Sequence, residues 1–275
     1  MAFEVFRGLA EYEIFDFHTH PYINPRRNRG IYPHLLALDT PEALAEDLAK
    51  SGISGFAGSV LGGIDGGPAN PTGDFAQIAA ANEEALALCR RLGEVYYPGI
   101  HIHPAFVDES CREIDRAADL GFCLIGELVH YAFGWDFSHP GLLPILEHAQ
   151  GRGMVLSLHV SDVNDIAGAA ALADKFPALP IVLAHPGDGV RPRQHVEAMR
   201  ERKNMAIDLS GGGLFRYGTL SFLVKELGAE RVLFGTDYPI CTPSLYVGGV
   251  LSERVTREEL ALVFAGNAKR ILGIA

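Results

Sequence analysis

The sequence predicts a single (β/α)₈ barrel, a TIM barrel, over residues 1–275. Strand-like and helix-like stretches alternate eight times along the chain. The strand-like stretches are continuously apolar rather than alternating, which is typical of parallel strands that are covered on both faces. The length also suits one barrel of this type, which commonly has about 250 residues. The alternative is an open doubly wound sheet, but no GxGxxG motif follows the first strand, which disfavours its dinucleotide-binding form.

The elements follow in regular order. Eight strands are predicted at about 14–18, 53–60, 94–101, 122–127, 154–159, 181–185, 205–209 and 232–235. Eight helices are predicted at about 41–51, 74–92, 109–120, 141–152, 164–176, 192–203, 219–227 and 257–272. Thr40 is the expected N-cap of the first helix because Pro41, which suits the first helical position, follows it. No low-complexity tract or long linker marks a domain boundary.

Composition narrows the functional classes. The chain has 34 acidic and 23 basic side chains and a formal charge of −11, which makes nucleic-acid binding an unfavoured function. No apolar stretch approaches the roughly 20 residues that span a bilayer, and residues 1–13 lack a signal-peptide pattern. The four cysteines show no CxxC spacing, as in a reduced cytoplasmic protein. We therefore expect a cytoplasmic protein with a small-molecule substrate; because barrels often dimerise, a homodimer is one option for its oligomeric state.

Potential metal ligands stand at the ends of several predicted strands. His18 and His20 follow the first strand two residues apart, so both side chains point to one face. Two adjacent imidazoles can bind one divalent ion, and zinc accepts such ligands at about 2.0–2.1 Å. The alternative is a hydrogen-bonded histidine pair at the barrel rim.

Three more polar residues end later strands. His159 and His185 end the fifth and sixth strands, and Asp237 ends the eighth. Each alone has a structural alternative: either histidine could serve packing, and Asp237 could cap the following loop. Together they predict a metal site, because the carboxyl ends of all barrel strands converge on one mouth. One or two divalent ions are expected, with zinc first and manganese, iron or cobalt as alternatives.

At this point the chain resembles the amidohydrolase superfamily, specifically its amidohydrolase-2 branch. The resemblance rests on His18-Thr19-His20, Leu158-His159, Ala184-His185-Pro186-Gly187, Gly235-Thr236-Asp237-Tyr238-Pro239 and the closing stretch Val263-Phe264-Ala265-Gly266-Asn267-Ala268-Lys269-Arg270-Ile271-Leu272. It implies that His18, His20, His159 and Asp237 bind metal. It also implies that His185 binds a second metal or helps to polarise the substrate.

Glu127, after the fourth strand, departs from that branch, many members of which lack a carboxylate ligand there. The stretch Ile125-Gly126-Glu127-Leu128 is more similar to the TatD-type branch, as is Gly99-Ile100-His101-Ile102-His103-Pro104. The resemblance implies that Glu127 bridges two metals, which would lie about 3.5–4 Å apart. The alternative is that Glu127 hydrogen-bonds a metal-ligating histidine.

Other residues near strand ends are candidates for substrate contacts, with packing or solvent exposure as the alternative. Arg26, Arg27 and Arg29 lie in the loop after the first strand, and an arginine fork suits a substrate carboxylate. His103 and Tyr131 are further candidates. The same group includes Tyr22, His101, His130 and Trp135.

These features favour a metal-dependent hydrolase of a small ester, lactone or amide. Metal-activated water would attack the carbonyl, Asp237 would shuttle the proton and His185 would steady the oxyanion. The second interpretation is a non-oxidative decarboxylase of an aromatic or unsaturated carboxylic acid, because the amidohydrolase-2 branch includes such enzymes. A TatD-like phosphodiesterase comes third.

Overall fold

The computed structural model of the protein describes residues 11–25, 35–36, 39–61 and 75–275, and it confirms the predicted barrel. Eight parallel strands form one sheet in chain order. They are β1 Phe15–Thr19, β2 Gly55–Ser59, β3 Tyr96–Ile100, β4 Leu124–Leu128, β5 Val155–His159, β6 Ile181–Ala184, β7 Met205–Asp208 and β8 Val232–Leu233.

In the part of the chain that the structure describes, seven helices lie between successive strands, and three more follow β8. They are α1 Pro41–Lys50, α2 Ala76–Leu92, α3 Val107–Asp119, α4 Leu142–Gly151, α5 Val163–Lys175, α6 Arg191–Met199, α7 Thr219–Leu227, α8 Pro243–Leu251, α9 Arg257–Ala261 and α10 Asn267–Leu272. The Thr40 side chain accepts a hydrogen bond from the Ala43 amide, which confirms the predicted N-cap. No helix in the described ranges is long and apolar enough to cross a membrane.

Two features of the C-terminal region differ from the prediction. Helix α8 was not predicted; it contains Gly248 and Gly249, and glycine disfavours a helix by about 1 kcal/mol relative to alanine. The helix predicted at 257–272 is interrupted by a π-helical turn at Leu262–Gly266, which separates α9 from α10. The π-helical turn contacts the barrel, where the Val263 carbonyl accepts a hydrogen bond from the Phe234 amide at 2.9 Å.

The barrel interior is filled at its amino-terminal end. A cluster of buried apolar side chains draws on every strand and on the C-terminal helix: Phe15, Phe17, Ala57, Tyr97, Leu124, Val155, Val182, Ala206, Leu233, Ala265, Ala268 and Leu272. A larger cluster packs the strands against the surrounding helices. The polar strand ends are therefore confined to the opposite, carboxyl-terminal mouth.

The barrel closes between β1 and the segment around β8. The Phe17 amide donates to the Phe234 carbonyl at 2.9 Å, and the Asp237 amide donates to the His18 carbonyl at 2.9 Å. The buried Asp16 carboxylate adds to this seam. It accepts from the His18 amide at 3.0 Å, the Thr236 amide at 3.1 Å and the Thr236 hydroxyl at 2.5 Å. One carboxylate thus ties the first strand to the last.

We expect Asp16→Ala to lower the free energy of unfolding by about 3 kcal/mol or more, because three buried donors lose their acceptor. Urea denaturation of the metal-free protein measures this. The control is Asp174→Ala, in which the lost carboxylate is exposed and paired with Arg202, and which should leave the stability nearly unchanged. Equal stability of the two variants would contradict the role of Asp16.

Candidate metal centre

Four predicted ligands from β1, β4 and the segment after β8 converge on one point. The Nε2 atoms of His18 and His20 are 3.1 Å apart. Asp237 Oδ1 lies 3.3 Å from His20 Nε2 and 3.7 Å from His18 Nε2. Glu127 Oε2 lies 3.3 Å from His20 Nε2 and 3.4 Å from His18 Nε2. Two ring nitrogens and two carboxylate oxygens therefore face one another within a cation's reach.

The other oxygen of Glu127 faces a second pair of histidines. Glu127 Oε1 lies 2.8 Å from His159 Nδ1 and 3.2 Å from His185 Nε2. These two ring nitrogens are themselves 3.2 Å apart. Glu127 thus lies between His18 and His20 on one side and His159 and His185 on the other. All six residues predicted as ligands are brought together.

The two β1 imidazoles are held by their other ring nitrogens. His20 Nδ1 lies 3.1 Å from the Ser59 carbonyl, to which it can only donate. His18 Nδ1 lies 3.0 Å from Asp208 Oδ2 and 3.0 Å from Ser210 Oγ. A proton fixed on each Nδ1 leaves the Nε2 lone pair free for a cation. This chemistry fits a divalent metal.

Asp208 and Ser210 were missed by the sequence analysis. Asp208 is the last residue of β7, and Ser210 follows two residues later; both are fully buried. The Ser210 hydroxyl also lies 3.0 Å from His185 Nδ1, so it holds two rings at once. The rule that found the ligands, a polar residue at the end of an apolar strand, also points to Asp208.

His185 and Asp237 both adopt left-handed backbone conformations, with φ of 68° and 66°. Such conformations typically cost about 1–3 kcal/mol for a residue other than glycine, and they concentrate at functional sites. Gly211 is required beside His185, since a Cβ there would lie 2.2 Å from His185 Nδ1. The backbone is thus strained at the two residues whose side chains face the candidate centre.

Burial and neighbouring charges determine the pKa values of the side chains in the centre. Burial lowers the pKa of His20, but the Asp237 and Glu127 carboxylates outweigh it and raise the value to about 9. Burial also lowers the pKa of His18, but Asp208 and Glu127 outweigh burial and raise the pKa well above its usual range. Burial alone would raise the pKa of Glu127, whereas His18 and His159 hold it well below normal. The site therefore favours ionised carboxylates together with positive charge, supplied by protons or by a metal ion.

The residues predicted to contact substrate do not all lie at the candidate centre. The His103 ring is used internally: its Nε2 lies 3.1 Å from the Phe133 carbonyl, and its Nδ1 accepts from the Ala105 amide. The structure therefore does not bring its ring nitrogens to the centre. Tyr131 is 52% exposed, and its ring centroid is 5.3 Å from that of His159, so it borders the site. The predicted Arg26, Arg27 and Arg29 lie outside the described residues.

A parallel barrel with histidines and acids gathered at its carboxyl-terminal mouth defines the class of metal-dependent barrel enzymes. Residues 16–274 match the family model Amidohydro_2, described as amidohydrolase, and the chain belongs to that family. The predicted resemblance to the amidohydrolase-2 branch is confirmed.

Three similar proteins are decarboxylases. Gamma-resorcylate decarboxylase of Polaromonas sp. (strain JS666 / ATCC BAA-500) is 33% identical over an 87-residue alignment that covers 26% of this chain and 27% of that protein. The structure of 2,6-dihydroxybenzoate decarboxylase complexed with 2,6-dihydroxybenzoate has 16% identity and a TM-score of 0.75, covering 96% of this chain and 100% of the other. The structure of 5-carboxyvanillate decarboxylase from Novosphingobium aromaticivorans DSM 12444, complexed with manganese and 4-hydroxy-3-methoxy-5-nitrobenzoic acid, has 17% identity and a TM-score of 0.74, covering 97% of each chain. At such identities the two structures show a shared fold.

We expect Asp208→Asn to weaken Mn²⁺ binding by about 10- to 100-fold, because the amide no longer orients His18 through a charged hydrogen bond. Isothermal titration calorimetry on the metal-free protein measures this. Asp188→Asn is the matched control, since Asp188 is an exposed carboxylate paired with Arg216 and should not affect metal binding. Identical affinities in the two variants would contradict a supporting role for Asp208.

We also expect Mn²⁺ affinity to rise with pH between about 7 and 9. The predicted ligand His20 has a pKa of about 9, so its ring carries an extra proton below that pH, which would have to leave when metal binds. Titrations in buffers of different ionisation enthalpy measure both the affinity and the protons released. A Kd that stays constant over this range would show that His20 is no ligand.

Proposed function

We propose that the protein is a divalent-metal-dependent decarboxylase of a small aromatic or unsaturated carboxylic acid. The sequence alone favours hydrolysis first and decarboxylation second. The relatives favour the second interpretation, since the curated relative and both compared structures are decarboxylases. The family itself is compatible with both reactions.

The proposal is carried by the placement of a protonatable His185 beside the five groups that would hold a cation. His18, His20 and Asp237 would hold the metal, with Glu127 and His159 completing the set. When bound, the ion would supply positive charge that draws the substrate carboxylate into the mouth. Manganese suits this donor set as zinc does; a manganese-containing structure is among those compared.

His185 is placed to act as the proton donor. Burial lowers its pKa, but the Glu127 carboxylate, 3.2 Å from Nε2, outweighs burial and raises the pKa. Its Nδ1 is held by the Ser210 hydroxyl, which leaves Nε2 to face the reacting centre. In the proposed reaction the bond between the ring carbon and the carboxylate breaks, and the electron pair stays on the carbon. A proton from His185 then completes the C–H bond as CO₂ leaves.

A second candidate, hydrolysis of an ester, lactone or amide, is favoured by the position of Glu127. Its two oxygens face separate histidine pairs, an arrangement that suits two cations about 3.5–4 Å apart. Two ions would favour hydrolysis over decarboxylation. The TatD-like phosphodiesterase has no further support from the described residues and is not proposed.

We expect the Mn²⁺-loaded protein to release CO₂ from 2,6-dihydroxybenzoate or 5-carboxyvanillate, and Asp237→Asn to reduce the rate by orders of magnitude, since the amide removes a negative charge from the cation site. Headspace mass spectrometry measures the CO₂. Asp188→Asn serves as the control. Absence of CO₂, together with ¹⁸O from labelled water in the products of a lactone and ester panel, would establish the second candidate instead.

A further inference from the structure

Unsatisfied polar groups concentrate on one side of the barrel mouth. Among the described residues, the buried side-chain atoms without a hydrogen-bond partner are Ser59 Oγ, His101 Nδ1 and Nε2, His130 Nδ1, Trp135 Nε1, and His195 Nδ1 and Nε2. All of them except the His195 atoms belong to residues at, or shortly after, the carboxyl ends of β2, β3 and β4. Each such group typically costs about 1–3 kcal/mol when it is buried unpaired. A cluster of such groups calls for an explanation, and a bound polar ligand is one that would satisfy them together.

His101 is the most constrained of these residues. It directly follows β3, and its backbone is fixed on both sides by Asn82: the His101 amide donates to Oδ1 at 2.7 Å, and Nδ2 donates to the His101 carbonyl at 3.1 Å. Its ring packs against Phe133 at a centroid distance of 5.5 Å and is 2% exposed. Neither ring nitrogen has a partner within hydrogen-bond geometry, although the backbone of Val60 lies close enough to raise the pKa of the ring against the effect of burial.

Ser59 links this position to the candidate metal centre. Its carbonyl lies 3.1 Å from His20 Nδ1, while its own hydroxyl has no partner. In the β2–β3 pairing Ser59 lies opposite Gly99, two residues before His101. The Ser59 hydroxyl and the His101 ring therefore belong to neighbouring strand ends, and the Ser59 carbonyl contacts the predicted ligand His20.

The charge state of His101 indicates what it would bind. Burial, reinforced by the nearby positive His20, lowers the pKa of His101 to about 4, so the ring is neutral at physiological pH. A neutral imidazole offers one donor and one acceptor, as a hydroxyl group does. A substrate carboxylate would instead go to the cation, where positive charge is concentrated.

We infer that His101 and Ser59 bind a ring hydroxyl group of the aromatic acid whose carboxylate is held at the metal centre. This inference rests on the proposed function, because it requires an aromatic carboxylate as the ligand. It makes His101 a specificity-determining residue that separates hydroxylated from unsubstituted aromatic acids. A site built to bond a hydroxyl rejects the analogue that lacks it, because its own polar groups are then left unpaired.

The test compares binding of 2,6-dihydroxybenzoate and benzoate to the Mn²⁺-loaded protein by calorimetry, with metal content measured for each variant. We expect His101→Phe to weaken binding of 2,6-dihydroxybenzoate by about tenfold or more and to change benzoate binding by less than about twofold. Ser59→Ala should act in the same direction, and His101→Gln, which keeps a donor and an acceptor, should restore part of the preference. His148→Gln, on α4, is the control histidine variant.

A purely structural His101 predicts a different result. Phenylalanine would then remove two unpaired nitrogens and raise the stability, and the preference for 2,6-dihydroxybenzoate would persist; that result overturns the inference. Wild-type protein that binds both ligands equally also overturns it. If His101→Phe loses its metal, the test rests on His101→Gln and Ser59→Ala. A preference for 2,6-dihydroxybenzoate over benzoate that is unchanged in both variants refutes the subsite. The assay measures binding and does not require turnover. A preference for 2,6-dihydroxybenzoate that depends on His101 therefore supports the subsite even if no CO₂ is released. In that case only the proposed reaction fails.

Discussion

The structure depends on one close approach: two imidazole nitrogens and two carboxylates meet in a buried mouth. His18 Nε2 and His20 Nε2 lie 3.1 Å apart, and oxygens of Glu127 and Asp237 lie within 3.7 Å of both. Free lone pairs and negative charges at such distances repel one another unless a positive charge lies among them. A divalent ion would meet this requirement.

Much of the barrel serves to hold this arrangement. Asp16 joins β1 to the segment after β8, which brings the predicted ligands at the two ends of the chain together. The imidazole rings are held through their Nδ1 atoms by Ser59, Asp208 and Ser210, which lie at the ends of β2 and β7. His185 and Asp237 both have left-handed backbone conformations, and Gly211 leaves the room that the His185 ring needs.

The fold was predictable because continuous apolar runs and helical segments repeat eight times, and the six ligand candidates were predictable because each follows such a run. The same rule would have included Asp208. It could not separate His101 from His103, which follow β3 two residues apart; only the folded chain shows that the His103 ring bonds to the Phe133 carbonyl and that the His101 ring stays unpaired. Helix α8 escaped prediction because Gly248 and Gly249 oppose a helix locally.

The sequence could not decide between hydrolysis and decarboxylation, for a different reason. The position of Glu127 suits the two ions of the second candidate, whereas the similar proteins are decarboxylases. Substrate choice depends on the residues that line the mouth, such as Tyr131, rather than on the ligands.

The most direct test of the central claim is anomalous X-ray diffraction from crystals of the Mn²⁺-loaded protein. The account predicts a peak within bonding distance of His18 Nε2, His20 Nε2 and Asp237 Oδ1. A fully loaded protein whose anomalous peaks all lie away from these three atoms would contradict it.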